Sequence, residues 1–251
     1  MSKKKHKKSN PHSAPKPKAK PAPTSKWNQP LVWGIAAIVI MAILVVAAVL
    51  LLNKPTASSQ AQTTDPASTP TSTTETYTPP ALEDDVTYTA KIDIQDYGTV
   101  TVKLDQSAAP ITCANFVELA ESGFYDGLTF HRIIEGSMMQ GGDPEGTGYG
   151  GSEHNIVGEF SSNGYDNPLS HTRGAISMAR SNDPNSASSQ FFIVQQDATF
   201  WDGDYAVFGY VTDGMDVVDA VCEAAQPTDG NGTIPADQQP VITSITILTD
   251  Q

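Results

Sequence analysis

Residues 31–52 read LVWGIAAIVIMAILVVAAVLLL, 22 residues without a charge. At about 1.5 Å per residue, a helix of this length crosses the ~30 Å hydrocarbon core of a bilayer. A compact soluble fold would have to bury it on every side. The flanks fit a span, with Trp27 and Trp33 where interfacial aromatics belong and Lys26 and Lys54 bracketing the run. Nine lysines precede it, Lys54 follows, and no Asp or Glu occurs before residue 55. The positive-inside rule then predicts a single-pass protein of the cell membrane, its N-terminus cytoplasmic and its C-terminal part extracellular. The alternative is a cleaved signal peptide with a small-residue site near Ala57–Ala61. The run is long for the apolar part of such a leader, and no Cys at its end supports a lipoprotein.

The charge divides at the same place. Ten basic residues lie at or before Lys54; five basic and all 28 acidic residues follow, giving +10 and −23 on the two sides. Residues 1–30 are rich in Lys, Pro and Ser and predict a disordered basic cytoplasmic tail. Residues 53–85 form a Ser/Thr/Pro-rich linker, and 86–251 are long enough for one domain with a real core. The acidic domain should repel nucleic acid, so none is expected as a partner. Cys113 and Cys222 are too few for a disulfide framework and read as buried helical residues.

Within the domain, YTAKIDI and GTVTVKL alternate with period two around QDYG, which predicts a hairpin. APITCANFVELAESG places Pro110 at the first helical position and Gly123 at the stop. LTFHRII, GAISMAR, QFFIVQQ, YAVFGYV and PVITSITIL read as strands, and GMDVVDAVCEAA as a second helix. Many strands with two helices, and no strand–helix–strand alternation, favour an all-β barrel or sandwich over a doubly wound sheet.

Several motifs match known chemistry without its context. GTGYGG, Gly146–Gly151, fits G-x-G-x-x-G, but loop-forming residues follow where a dinucleotide site needs a helix. His131, His154 and His171 lack metal-ligand spacing, so no metal is expected. No serine sits in G-x-S-x-G, which leaves a hydrolase without support. Asn231-Gly232-Thr233 marks at most an exposed loop. What remains is an arginine and a glutamine among apolar side chains, in FHRIIEGSMMQGGD. That set suits a reaction without a covalent intermediate, such as rotation about an X–Pro bond. The barrier of about 18–20 kcal/mol comes from amide resonance. An apolar pocket for the ring, with a fixed guanidinium donating to the pyramidal prolyl nitrogen, would favour the twisted amide over the planar one.

FHRIIEGSMMQGGDPEGTGYGG, then SMARSNDPNSASSQFFI and FWDGDYAVFGYV, closely resemble the cyclophilin-type peptidyl-prolyl isomerases, here as a membrane-anchored bacterial form. The resemblance covers about residues 86–250. It implies a closed eight-stranded antiparallel β-barrel capped by two helices, an isomerase without a cofactor, and proline-containing polypeptides as partners. It implies Arg132 as the catalytic residue and Gln140 as a hydrogen-bond partner of the substrate backbone. Met138 and Phe192 would line the proline pocket. Ala179, Arg180 and Ser181 would lie along an extended peptide, with Gln190 in the same floor; many relatives have Asn at Arg180. Trp201, Tyr205 and Phe200 would complete the wall. Phe200 stands where cyclosporin-sensitive members carry Trp, which implies weak cyclosporin binding. Ser137 stands where members usually have a pocket Phe, so activity is expected to be retained but reduced. The expected role is catalysis of exported-protein folding; the alternative is a proline-segment binding module or holdase with weak catalysis.

Overall fold

The computed structural model describes residues 76–250; the predicted tail, the membrane span and most of the linker lie outside the described residues. Among the described residues, no helix is long and apolar enough to cross a membrane. The predicted hairpin is β1, Thr87–Ile94, and β2, Gly98–Leu104. Ala90, Ile92 and Ile94 face Val100, Val102 and Leu104 inside the core, as period two requires. Helix α1, Pro110–Glu121, starts on Pro110. Its first turn is not capped by its own flank. Instead the buried carboxylate of Glu159 accepts from the N–H of Ile111 (3.0 Å), the N–H of Thr112 (2.8 Å) and the Thr112 hydroxyl (2.6 Å). A carboxylate at a helix N-terminus satisfies otherwise orphaned donors and complements the helix dipole.

The chain continues through β3, Arg132–Ile134; β4, Met138–Gly141; β5, Ala175–Met178; β6, Phe191–Val194; β7, Val207–Asp213; α2, Met215–Ala224; and β8, Ile242–Asp250. All pairings are antiparallel, in the order β3-β4-β6-β5-β7-β2-β1-β8. Helix α1 packs on β8 and α2 on β2. The expected eight strands and two helices are present among the described residues, but the barrel is half-open rather than closed. The end strands β3 and β8 do not pair with each other. Three-residue β3 is too short to carry the seam, and the loop around Gly232 occupies its outer edge. There the Ile133 N–H donates to the Gly232 carbonyl at 2.8 Å, and the Ile234 N–H to the His131 carbonyl at 3.0 Å. The seam is bridged only before β3, where Thr129 faces Val241.

Two further boundaries differ from the sequence reading. Strand β4 was not expected from pattern, because Met138-Met139-Gln140-Gly141 neither alternates nor is β-branched. Residues 76–85, assigned to the linker by composition, begin with a docked segment. The Tyr77 N–H donates to the Asn155 carbonyl at 2.7 Å, and its hydroxyl donates to the Glu118 carboxylate at 2.9 Å. Cys113 and Cys222 are buried and unpaired, as expected. Burial pushes the Cys222 thiol up to about 12 and the Cys113 thiol up as well.

Replacing Glu159 with Ala leaves three donors without an acceptor in the interior. The expected loss is about 2 kcal/mol, within the range for orphaned buried hydrogen-bonding groups. Urea denaturation measures it, with faster amide exchange at Ile111 and Thr112. An unchanged midpoint would show that α1 does not depend on this carboxylate.

Candidate active site

Antiparallel register divides the β3, β4, β6 and β5 side chains into two sets. Ile133, Met139, Ile193 and Ile176 stand opposite one another in turn and enter the main core. The alternate row runs Arg132, Gln140, Phe192, Ser177. With Met138 and Val194 it faces the other side, where Phe192, Met138, Val194 and Val207 form a second apolar cluster. Trp201, Tyr205 and Ala179 pack against that cluster. Beside it lies a cavity of about 460 Å³, of the size that accepts a small ligand or a few residues of peptide.

Eight of the sequence-predicted residues line this cavity: Arg132, Met138, Gln140, Ala179, Arg180, Phe192, Trp201 and Tyr205. The Arg132 guanidinium is fixed on two sides. Its Nε–H donates to the Asn231 carbonyl at 2.8 Å, and an Nη1–H donates to Gln140 Oε1 at 3.0 Å. The Gln140 amide then donates to Gln190 Oε1 at 2.9 Å, and the Gln190 amide donates to the Gly150 carbonyl at 2.7 Å. This chain sets the orientation of both amides. Burial lowers the Arg132 pKa, while Tyr205 and Asp229 act in the opposite sense; a guanidinium stays charged under these conditions.

The other four predicted residues lie elsewhere. Gln190 is buried behind Gln140 and does not line the cavity, which it meets through its bonds to Gln140 and Gly150. Ser181 is exposed and bonded to Ser186. Phe200 is 73% exposed and lines no part of the cavity. Ser137 occupies the β3–β4 turn, where its carbonyl accepts from the Gln195 N–H at 2.7 Å; it does not line the cavity either. Trp201 lines the cavity, its ring centroid 5.3 Å from that of Phe192 in an edge-to-face arrangement.

Two glycines shape the exit from β4. A Cβ on Gly141 would stand 2.7 Å from the Thr129 carbonyl; one on Gly142, at φ +82°, would stand 2.7 Å from the Ser189 carbonyl. Buried Asp143 then accepts from the N–H groups of Glu145 (2.8 Å) and Thr147 (3.0 Å). This folds Gly146–Gly151 into a loop that opens no helix, as expected, and whose Thr147, Gly148 and Tyr149 line the cavity.

Beyond that loop, sequence reasoning missed four contributors. Asn231 and Thr233 line the cavity, although 99 residues separate Asn231 from the Arg132 it holds. Only the sequon drew attention to that loop. His131 also lines the cavity, buried, with neither ring nitrogen hydrogen-bonded. His171 lies beneath Phe192, stacked at 5.9 Å and 9°. Its Nδ1 is 2.7 Å from Asp202 Oδ1 and its Nε2 is 3.0 Å from Ser177 Oγ. Burial acts to raise the Asp202 pKa, but hydrogen bonds from Ser170 and His171 outweigh it and the carboxyl ends below its ordinary value. An ionised Asp202 places the proton on Nδ1, so Nε2 accepts from Ser177. The order Ser–His–Asp is that of a hydrolytic triad. Ser177 and His171 are fully buried, however, and no substrate reaches the hydroxyl.

Residues 89–248 match the family described as cyclophilin type peptidyl-prolyl cis-trans isomerase/CLD. A peptidyl-prolyl cis-trans isomerase of Helicobacter pylori is 42% identical over 142 residues, 55% of this chain and 85% of that protein. Peptidyl-prolyl cis-trans isomerase B of Bacillus subtilis is 45% identical over 123 residues, 49% of this chain and 82% of that protein. Among solved structures, a Cryptosporidium parvum cyclophilin type isomerase crystallised in the presence of the dipeptide Ala-Pro superposes with a TM-score of 0.57. It is 31% identical, over 64% of this chain and 99% of that one.

The two buried histidines predict a pH dependence of stability. Burial, the largest cause, lowers both pKa values; Asp143 opposes this at His131 while Arg132 adds to it, and Asp202 opposes it at His171. Below about pH 6.5 the unfolded chain takes up protons that the folded protein still refuses. Stability therefore falls as pH drops from neutral through this value toward the folded pKa values. The thermal midpoint should decline between about pH 7 and 5, with a shallower slope in His131→Leu. Equal slopes in the two proteins would exclude His131 as a contributor.

Proposed function

The chain belongs to the cyclophilin-type peptidyl-prolyl isomerases, and from that premise we propose that Arg132 catalyses X–Pro rotation in exported proteins outside the cell membrane. The activity is cis–trans isomerisation of X–Pro bonds. The carrying observation is a guanidinium held by the Asn231 carbonyl and Gln140, without a carboxylate partner, at an apolar cavity. The proline ring would sit against Met138, Phe192 and Trp201, the apolar residues that line the cavity; the Cryptosporidium relative was crystallised in the presence of a proline dipeptide, Ala-Pro. As the amide twists, the prolyl nitrogen becomes pyramidal and gains a lone pair. Arg132 donates to it without giving up its proton, and this bond is strongest in the twisted state. Gln140, oriented by Gln190, would hold the substrate backbone so that rotation is confined to one bond. Ala179 and Ser181 would border the extended peptide. Exposed Phe200 supports weak cyclosporin binding, since it leaves the cavity wall to Trp201.

The membrane placement rests on the uncharged 31–52 run and its lysine-rich N-terminal side. The Ser/Thr/Pro-rich stretch would hold the domain clear of the membrane, where slow proline steps limit the folding of exported chains. The donor and the apolar lining that rotation requires are both present at the cavity, Arg132 beside Met138, Phe192 and Trp201, so catalysis is the better reading.

Arg132→Ala should lower kcat/KM for a proline peptide about 10²-fold or more, with an unchanged thermal midpoint. Trp201→Ala should lower it about tenfold through lost apolar contact. Wild-type rates equal to the uncatalysed rate would overturn the assignment. Protease added to intact cells should digest the 86–251 region while an N-terminal epitope survives; protection of the domain until lysis would reverse the topology.

A further inference from the structure

The domain has three arginines, Arg132, Arg173 and Arg180, and two of them line the cavity. Among the described residues, only Arg173 pairs with a carboxylate, that of Asp219 at 2.7 Å. This is unexpected in a chain whose 28 acidic residues all follow residue 54. No carboxylate lines the cavity. Arg180 is nevertheless well fixed. Its Nε–H donates to the Asp204 carbonyl at 2.9 Å, and an Nη1–H donates to the Ser181 carbonyl at 2.9 Å. Its Cζ lies 5.0 Å from the Phe160 ring centroid and 4.8 Å from that of Tyr205. Backbone carbonyls and ring faces hold the cation in place without cancelling its charge. Its Nη2 group makes no hydrogen bond among the described residues, and the same is true of Arg132.

We propose that Arg180 selects substrates in which an Asp or Glu lies within two residues of the proline. The inference rests on the isomerase reading of this cavity and names its preferred substrates. Tyr205, under the Arg180 guanidinium, is also edge-on to Phe192 at 5.9 Å. Arg180 is therefore one aromatic ring away from the floor of the proline pocket. At about 3.3 Å of chain per residue, a carboxylate one or two positions from the proline reaches it. A carboxylate there meets a preorganised donor with free N–H groups, and this charge-assisted bond forms with little loss of side-chain freedom. A lysine at the same position meets a cavity lined by two arginines and by no carboxylate. The domain's overall negative charge opposes acidic segments at long range, but at 0.15 M salt that repulsion is screened beyond about 8 Å. The local contact then decides the preference.

The test uses the full chain and peptides carrying Glu, Gln or Lys at each of the two positions on either side of one proline. Exchange NMR gives kcat/KM, and titration of the same peptides gives Kd. At one position at least, Glu should exceed Gln about tenfold and Lys should fall below Gln. Arg180→Gln should bring the Glu:Gln ratio within about twofold of one, Arg180→Lys should retain part of it, and Arg180→Glu should turn the preference toward Lys. Ratios are read, so a general loss of activity in a variant does not imitate the result. A wild-type ratio near one at every position, or a ratio that survives Arg180→Gln, would overturn the proposal. Turnover of the Gln peptides at equal rates leaves the isomerase reading standing while this one fails. If no peptide is turned over, that reading fails and the Kd ratios still decide this one.

Discussion

The β3–β4–β6–β5 register is the constraint on which the site depends. Because side chains alternate along a strand, one row of residues fills the core and its neighbours face the cavity. Ile133, Met139, Ile193 and Ile176 anchor the first set, and the Arg132–Gln140–Phe192–Ser177 row belongs to the second. A slip of one residue would move the arginine into the interior and an isoleucine into the cavity. The same packing that stabilises the fold therefore sets the donor beside the ring pocket. Short strands suffice, since four-residue β4, β5 and β6 are locked between the two apolar clusters.

Around that row, the charged groups named here take backbone partners as well as side chains. Arg132 takes the Asn231 carbonyl, Arg180 takes two carbonyls, and Asp143 and Glu159 collect N–H groups. Backbone partners orient a charged side chain without supplying a full opposite charge. The carboxylates are thereby used to fold loops and helix ends, and the cations stay available to a ligand. In a chain this acidic, such a division keeps the cavity free of competing internal ion pairs.

Much of this was legible in the sequence because it depends on local pattern. The hairpin follows from alternation, α1 from Pro110 and its apolar face, and the site residues from three motifs in order. β4 was missed, since its register comes from pairing with Arg132 and Phe192 on other strands rather than from its own composition. The role of Asn231 was equally hidden, because a carbonyl oxygen has no residue-type signature. Ser137 stands at a motif position yet does not line the cavity, whereas Trp201 does.

The Ser177–His171–Asp202 line sharpens what a motif of chemistry requires. Its hydrogen-bond distances would suit a nucleophile, yet Ser177 sits at 0% exposure beneath the sheet face. A hydroxyl there gains nothing from a basic imidazole, because nothing can be attacked. What the line does supply is rigidity. Asp202 fixes the His171 ring, and His171 stacks under Phe192, which is also flanked by Trp201 and Tyr205. For bond rotation, the ring floor must not yield as the amide twists. A buried polar line that holds one phenyl ring in place serves that demand better than a reactive one.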